Sequence, residues 1–408
     1  MKVLAPPTLN ALQEQVRGLH ALAAPWLPAG LGSRLDWGPA IAAGTAVLSC
    51  RKLSGIHEHN PGDFTLTVAA GTPLVEVQEA LAHHRQWLCL DLPWGATPSS
   101  IGGLVARGLA GGYRQRYLGV RDQLLGVQLL RSDGVLARAG GKVVKNVAGY
   151  DLMRLLCGSW GALALITELT LRTQPIPPQR CSLLIQGELP VLQQLCRWLR
   201  GSSLSPERID LCSAPLAAAA GLAEQPLLLI ALASIDATTL AEQISCIRAQ
   251  AQQVVAAQPH ASGLSFDERS HGGLQPLLEA QRGQHEQGCH AEADWLLRLV
   301  VPPAQCATLL AAPELRGVPA VLAAGRGSGD AWAAAADLPR HRVEALRRLC
   351  LELGGHLTVL RQPAPAAPGT APLPAWLDAP AKPMIEAIKR EFDPKLQLAR
   401  GRLPGVQG

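Results

Sequence analysis

The sequence predicts an α+β protein: an N-terminal domain of short strands and helices, followed by a second, smaller α+β domain. Three observations carry this expectation. The 408 residues exceed what one ordinary hydrophobic core organises, which points to two domains. Residues 1–175 alternate short apolar runs with helical patterns at glycine-rich joints, whereas residues 176–362 turn to longer Ala/Leu/Gln stretches. A Pro-rich step, Gln174–Pro178, separates the two textures.

Composition narrows the class. Hydrophobic residues make up 48% and charged residues 17%, the balance of a folded chain rather than a disordered one. Aromatic residues are only 4%, so the core must be built of Leu, Val, Ile and Ala. A net charge of +5 with no Lys/Arg block and no aromatic–basic alternation argues against a nucleic-acid surface. Ten cysteines are scattered without a CxxC pair, so neither a zinc nor an iron–sulfur site is expected, and free thiols in a reducing cytoplasm are. The start, Met1–Pro7, is too short and too soon broken by proline to read as a signal peptide. No apolar run approaches the ~20 residues of a membrane span.

Element by element, Ala46–Cys50 and Phe64–Ala69 read as strands. Gly71-Thr72-Pro73 then opens a helix, with Thr72 as N-cap, Pro73 at the first helical position, and an end near His84. Leu125–Leu130 and Val135–Arg138 flank the turn Ser132-Asp133-Gly134 and form a hairpin. Leu163–Arg172 closes the first domain as an apolar strand. In the second domain Leu227–Leu232 and Trp295–Val301 read as strands, and the alanine runs 217–220 and 333–336 carry little information. Residues 363–382, rich in Pro and Ala, read as a linker, and residues 383–408 as a helix over Pro383–Phe392 with a tail.

Three glycine-punctuated segments carry the chemistry. Gly30-Leu31-Gly32-Ser33-Arg34 offers backbone without side chains, which suits close approach to a pyrophosphate. A dinucleotide fingerprint would need a further glycine where Leu35 stands, so that reading fails, and a plain turn accounts for the cluster equally well. The second segment runs from Gly95-Ala96-Thr97 through Ser99-Ser100-Ile101-Gly102-Gly103 to Gly111, Gly112 and Gly119. So many small residues suit a long cofactor lying on backbone; a surface loop with a helix cap is the alternative. The third is Gly140-Gly141-Lys142-Val143-Val144-Lys145-Asn146-Val147-Ala148-Gly149-Tyr150-Asp151, continuing to Gly158, Gly161 and Ile166.

This third segment closely resembles the flavin-binding signature of the vanillyl-alcohol-oxidase (PCMH-type) superfamily, and within it that of the FAD-binding subunits of bacterial glycolate oxidases. Thr97…Gly102-Gly103 resembles the same family's second flavin segment, and Gly30-Leu31-Gly32-Ser33 a variant of its pyrophosphate loop, with Leu31 in a tight place. The resemblance covers about residues 25–175. Phe392-Asp393-Pro394…Gly401-Arg402 resembles the ends of the family's closing motif, with Ala399-Arg400 departing from its centre.

The resemblance implies a PCMH-type FAD-binding domain of two α+β subdomains gripping an extended FAD, followed by the smaller α+β cap domain. It implies that Gly30, Gly32, Ser33 and Arg34 face the pyrophosphate. Ala96, Thr97, Gly102 and Gly103 would lie near the pyrophosphate and the ring edge. Gly141, Val144, Asn146, Gly149 and Tyr150 would run beside the flavin, with Ile166 near the adenine or ribitol side. Lys142 and Lys145 could bring charge to the flavin, although a solvated lysine is the commoner outcome. Asp151 reads as a turn or cap residue for a helix starting near Leu152. Arg114, Arg116 and Arg121 could contact phosphate, line a solvated face or meet a partner.

No catalytic centre is visible. Oxidising a 2-hydroxy acid needs a base for the hydroxyl proton and a cation for the carboxylate. Family relatives acting on D-2-hydroxy acids carry a His-rich motif with Gly-Asp-Gly-Asn, which this sequence lacks; His271, His285, His290 and His356 stand apart. Gly325–Asp330 follows the apolar Val318–Ala324 and reads as a strand and tight turn rather than a phosphate nest. The resemblance further implies a glycolate-oxidase-like complex in which a catalytic flavoprotein subunit and an iron–sulfur subunit accompany this chain. Substrate would then be a small 2-hydroxy acid, and any membrane association peripheral, through partners. Two other readings stay open: a self-sufficient FAD-dependent oxidase or dehydrogenase, and a structural subunit with a vestigial flavin site.

Overall fold

A computed structural model describes residues 2–91, 98–143, 149–258, 263–270, 277, 294–364 and 371–403. The N-terminal part begins with β1 (Val3–Leu4) and α1 (Leu9–Ala21), whose first turn is capped by Thr8 Oγ1 accepting from Ala11 N at 3.2 Å and whose Leu12 and Val16 are fully buried. β2 (Trp26–Ala29) and β3 (Ala46–Ser49) follow, and β1, β3 and β2 form a parallel sheet in that order.

β4 (Ile56–Asn60), β5 (Thr65–Ala69), α2 (Leu74–Ala82), β6 (Gln86–Trp87) and α3 (Ile101–Arg107) come next. Short helices α4 (Arg114–Tyr117) and α5 (Val120–Gln123) then lead into the hairpin β7 (Leu124–Leu130) and β8 (Leu136–Gly140). The hairpin turns at Gly134, whose φ of +79° suits a residue without Cβ. α6 (Met153–Leu156) and β9 (Leu165–Arg172) complete an antiparallel sheet ordered β4-β5-β9-β7-β8. One expectation is corrected here: Thr72 does not cap α2. Its buried hydroxyl accepts from Gly55 N and donates to Ala69 O, both at 2.8 Å, and Pro73 stands at the cap position. Asp151 likewise makes no cap; its carboxylate pairs with Arg154 at 3.1 Å.

After β10 (Gln174–Pro175), which pairs with β6, the second part is built on β11 (Gln179–Gln186), α7 (Leu189–Gly201), β12 (Arg208–Cys212), α8 (Ala214–Ala219), β13 (Leu227–Ser234), α9 (Ala237–Ala256) and β14 (Ser265–Ser270). β15 (Asp294–Val300), α10 (Cys306–Leu310), β16 (Ala320–Ala323), β17 (Ser328–Ala334), α11 (Arg340–Glu352) and β18 (His356–Arg361) follow. Their eight strands form one antiparallel sheet, β14-β11-β13-β12-β16-β17-β15-β18. The apolar stripe of α7 is buried, with Leu192, Leu195, Cys196 and Leu199 packed into the core of this sheet, as helical periodicity demands. Gly325–Asp330 makes the β16–β17 hairpin, with Gly327 at φ +75°.

The chain then returns to its beginning. Residues 371–376 run beside β18, where Val359 N donates to Ala375 O at 2.7 Å, and Trp376 meets Trp160 edge-on at 5.2 Å. α12 (Lys382–Phe392) leads to a strap over residues 393–403 that lies along β2: Trp26 N donates to Gln397 O and Ala399 N to Trp26 O, each at 2.9 Å. Lys389 pins the strap's entry, donating to Asp393 at 2.6 Å and to the carbonyls of Ala162 and Leu398.

Candidate functional site

A groove enclosing about 1020 Å³ of solvent-open space runs between the loop after β2, the start of α3, the Trp160–Gly161 turn and β9. At two of its glycines, Gly30 and Gly102, neighbours approach too closely for a side chain. A Cβ on Gly30 would overlap Ser100 Oγ and come within 2.8 Å of Ser100 Cβ. On Gly102 it would sit 2.7 Å from Ala70 Cβ. Gly32 takes φ +79°, which lets the loop bend although Leu31 carries a side chain. Ser49 Oγ donates to Gly30 O at 2.6 Å and holds the loop against β3.

Of the expected cofactor residues, the structure brings Gly30, Gly32, Ser33, Arg34, Gly102, Gly103 and Ile166 to this groove. Ala96, Thr97, Val144 and Asn146 lie outside the described residues. Gly141, Gly149 and Tyr150 do not line it. Gly141 donates its N–H to Leu125 O of β7 at 3.1 Å, and Tyr150 is 87% exposed. Gly102 allows the close packing on Ala70, and both amides are already engaged: Gly102 N donates to Ala70 O at 2.9 Å and Gly103 N to the cap Ser100 Oγ at 3.2 Å.

Charge in the groove comes from three arginines on three separate segments. Arg34 Nη1 donates to Ser33 Oγ at 3.1 Å and to Ser99 Oγ. Arg107, at the end of α3, lies 4.1 Å from the ring centre of Trp160 and 5.6 Å from that of Trp37. Its Nη2 donates to Arg34 O, while its Nη1 is buried and finds no acceptor. Arg402, brought in by the C-terminal strap, donates to Leu35 O at 2.6 Å and Pro39 O at 2.8 Å. Burial pushes the Arg107 guanidinium down to about 9, helped by the charges of Arg402 and Arg34. Burial pushes Arg402 down to about 10 and lowers Arg34 too, with Asp36 opposing both shifts. Cations held this way out of water call for an anion.

Spacing gave no signal for Arg107, Trp37 or Trp160, and Arg402 was visible only as the end of a partly matching motif. The arginines Arg114, Arg116 and Arg121 do not line the groove; Arg116 donates to Ser205 O at 2.5 Å, across to the second part of the chain. Lys142 pairs with Glu58 at the surface. Cys50 does line the groove, its thiol pushed up to about 12 by burial.

Past the groove, a buried polar cluster joins the two parts. Asp91, on the groove wall, accepts from Tyr113 N and faces Arg208 Nη1 at 3.6 Å. Arg208 donates from Nε to Asp210 at 2.9 Å, Arg180 pairs with Glu207 at 3.0 Å, and Arg298 with Asp330 at 3.0 Å. Tyr117 donates to Glu207 at 2.5 Å. Burial raises the Asp91 carboxyl, with Arg208 opposing. No described histidine lines the groove, and no group of three or more His, Cys, Asp or Glu suited to a metal occurs among the described residues.

A cradle of close-approach glycines lined by three arginines fits an extended, doubly charged cofactor. Residues 2–140 match the family described as FAD binding domain. The chain carries an FAD-binding domain of the PCMH type. FAD is the cofactor of that domain. The chain is similar to glycolate oxidase subunit GlcE of Escherichia coli (strain K12), 35% identical over 192 residues, or 46% of this chain and 54% of that protein. It is also similar to a D-2-hydroxyglutarate dehydrogenase of Xanthomonas citri pv. viticola, 36% identical over 198 residues, or 48% of this chain and 41% of that one. Thus the chain spans about half the length of the curated relatives it matches. Among solved structures, alkyldihydroxyacetonephosphate synthase aligns with a TM-score of 0.67 at 13% identity, covering 97% of this chain and 75% of that one, which shows a common fold. No helix among the described residues is long and apolar enough to cross a membrane.

Proposed function

We propose that this chain is the FAD-binding oxidoreductase subunit of a glycolate-oxidase-like complex, oxidising a 2-hydroxy acid to a 2-oxo acid (glycolate to glyoxylate) and passing electrons to an iron–sulfur partner. The observation that carries the FAD site is the convergence of the Gly30–Arg34 loop, the Ser99–Gly103 segment and Arg107 and Arg402 on one groove. Gly30, Gly32, Ser33 and Arg34 hold the diphosphate, with Ser99 and Ser100 alongside. Gly102 lets α3 lie close enough to Ala70 to leave the groove open, and Ile166 borders the adenine or ribitol side. Bound FAD supplies two-electron acceptance from a C–H bond. This chain's residues bind and orient it and keep its charged linkage out of water. Membership of a complex with a catalytic flavoprotein subunit and an iron–sulfur subunit is supported by the likeness to glycolate oxidase subunits.

A second reading, a self-sufficient dehydrogenase, is favoured by the likeness to D-2-hydroxyglutarate dehydrogenase. Against it, Arg180, Arg208 and Arg298 beside the groove each already face a carboxylate, so a substrate carboxylate there would have to break a buried pair. The test is an anaerobic absorption spectrum of the purified chain with glycolate, alone and with the two partner subunits. Bleaching only in the complex supports the proposal. Bleaching of the isolated chain supports the second reading, and a colourless chain that still assembles would leave a structural subunit.

A further inference from the structure

A second cavity lies apart from the cofactor groove, between α12 and the C-terminal strap, and encloses about 900 Å³ of solvent-open space. Arg390, Lys395 and Arg400 stand on its lining, and all three are exposed. None of them pairs with a carboxylate among the described residues. Two are steadied by main-chain carbonyls: Lys395 Nζ donates to His20 O at 2.8 Å and Arg400 Nε to Leu396 O at 2.7 Å. That leaves the Nη groups of Arg400 and two hydrogens of the Lys395 ammonium for an outside acceptor. Lys389, also on the lining, is already held by Asp393, and the charge of Glu386 bears on Lys382 one turn earlier.

The wall between these cations is apolar. Ala399 and Leu403 are buried in the core of the first part of the chain. Leu396, on the lining, is 47% exposed and takes a left-handed backbone at φ +51°. A leucine in that conformation carries a steric cost, and one left half in water recovers little of it by burial. Strain of this kind collects where a surface has a binding task. A compact anion such as phosphate would use the cations but not the leucines, and no serine or threonine stands on the described lining to share its oxygens. A peptide with spaced carboxylates and an apolar side chain uses both.

We propose that this cavity docks an acidic segment of a partner protein, with an apolar side chain of that segment on Leu396 and Leu403 and its flanking carboxylates on Arg390, Lys395 and Arg400. Arg402, two residues beyond Arg400, lines the cofactor groove. The docked segment therefore sits against the strap that also borders that groove, although recognition in the cavity does not depend on what the groove holds.

The test presents the full, flavin-free chain with an array of short peptides in which Asp or Glu flanks Leu or Phe at every spacing, and titrates the selected sequences by fluorescence anisotropy. Inorganic phosphate is titrated alongside. Acidic–apolar peptides should bind, their Gln-substituted counterparts at least tenfold more weakly, and added salt should weaken the binding. Reversing the three cations together (Arg390→Glu, Lys395→Glu, Arg400→Glu) should weaken a selected peptide tenfold or more. Leu396→Gly separates docking from folding: it relieves the left-handed backbone, so Tm should hold or rise while peptide affinity falls severalfold. The salt series and Leu396→Gly decide the matter even if the charge-reversed chain fails to fold. An array that selects no acidic peptide overturns the proposal. So does a selected peptide indifferent to salt, to the charge reversal or to Leu396→Gly. Phosphate binding without peptide binding overturns it as well and makes the cavity a small-anion site. Flavin is absent throughout, so failure here leaves the FAD reading intact, and a chain that takes the peptide but not FAD fails that reading alone.

Discussion

Replacing Gly30 by alanine is expected to separate the first loop from α3 and to loosen the cofactor with it. The added Cβ would overlap Ser100 Oγ and lie 2.8 Å from Ser100 Cβ. Rotating the serine hydroxyl away removes the first conflict but breaks its bond to Gly103 N, now 3.2 Å, and with it the cap of α3, which costs about 1 kcal/mol. The second conflict is not relieved by rotation, since Ser100 Cβ is fixed to the helix start, so the loop or the helix must shift at about 1–3 kcal/mol. Together the substitution should lower stability by roughly 2–4 kcal/mol. Because the loop carries Gly32, Ser33 and Arg34, FAD affinity should fall by at least about tenfold. Urea unfolding of the flavin-free chain gives the first quantity and FAD titration the second. Adding Ser100→Gly removes both offending atoms and costs only a few tenths of a kcal/mol at the cap, roughly the price of a glycine N-cap, so the double variant should recover more than half of the loss. Stability within about 0.5 kcal/mol of wild type for Gly30→Ala, with unchanged FAD affinity, would refute the close-approach reasoning. So would a double variant no better than the single.

Three further outcomes follow from the same structure. Lys389→Met should destabilise the chain by about 3–5 kcal/mol in urea, because it leaves the fully buried Asp393 without the ammonium that holds it at 2.6 Å. Arg107 should make anion binding proton-linked: burial holds its folded pKa at about 9, below the ordinary guanidinium range, and Arg34, Arg402 and Asp36 are the charges that face it. A bound anion raises that pKa again, so diphosphate or FAD should take up a fraction of a proton at pH 9 and essentially none at pH 7, where Arg107 is already charged. Calorimetry in two buffers of different ionisation enthalpy measures this, and equal heats at pH 9 contradict it. Iodoacetamide should label the exposed Cys246 in the folded chain but spare Cys50, whose buried thiol is pushed up to about 12; peptide mass spectrometry reads both.

How much of this was legible in sequence depends on how local each cause is. The β7–β8 hairpin and the strand at Thr65–Ala69 follow from alternation and turn residues within a few positions, and both appear where the pattern puts them. Thr72 misled because its position looks like a cap, yet its hydroxyl is claimed by Gly55 and Ala69 across the fold. Gly30 and Gly102 were legible as glycines that matter, but not the reason: each is set by a residue far along the chain, Ser100 and Ala70. Arg107 and Arg402 were hidden for the same cause, since they share a groove only after the C-terminal strap has paired with β2. Tyr150 differs again: a motif singles it out, and the fold leaves it 87% exposed and off the groove lining.

The central claim, that FAD lies in the groove walled by Trp37 and Trp160, is tested most directly by tryptophan fluorescence as FAD is added to the flavin-free chain. Saturable quenching at one FAD per chain is predicted, with a smaller amplitude in Trp37→Phe and Trp160→Phe. Stoichiometric FAD binding whose quenching is unaffected by either substitution would put the cofactor elsewhere.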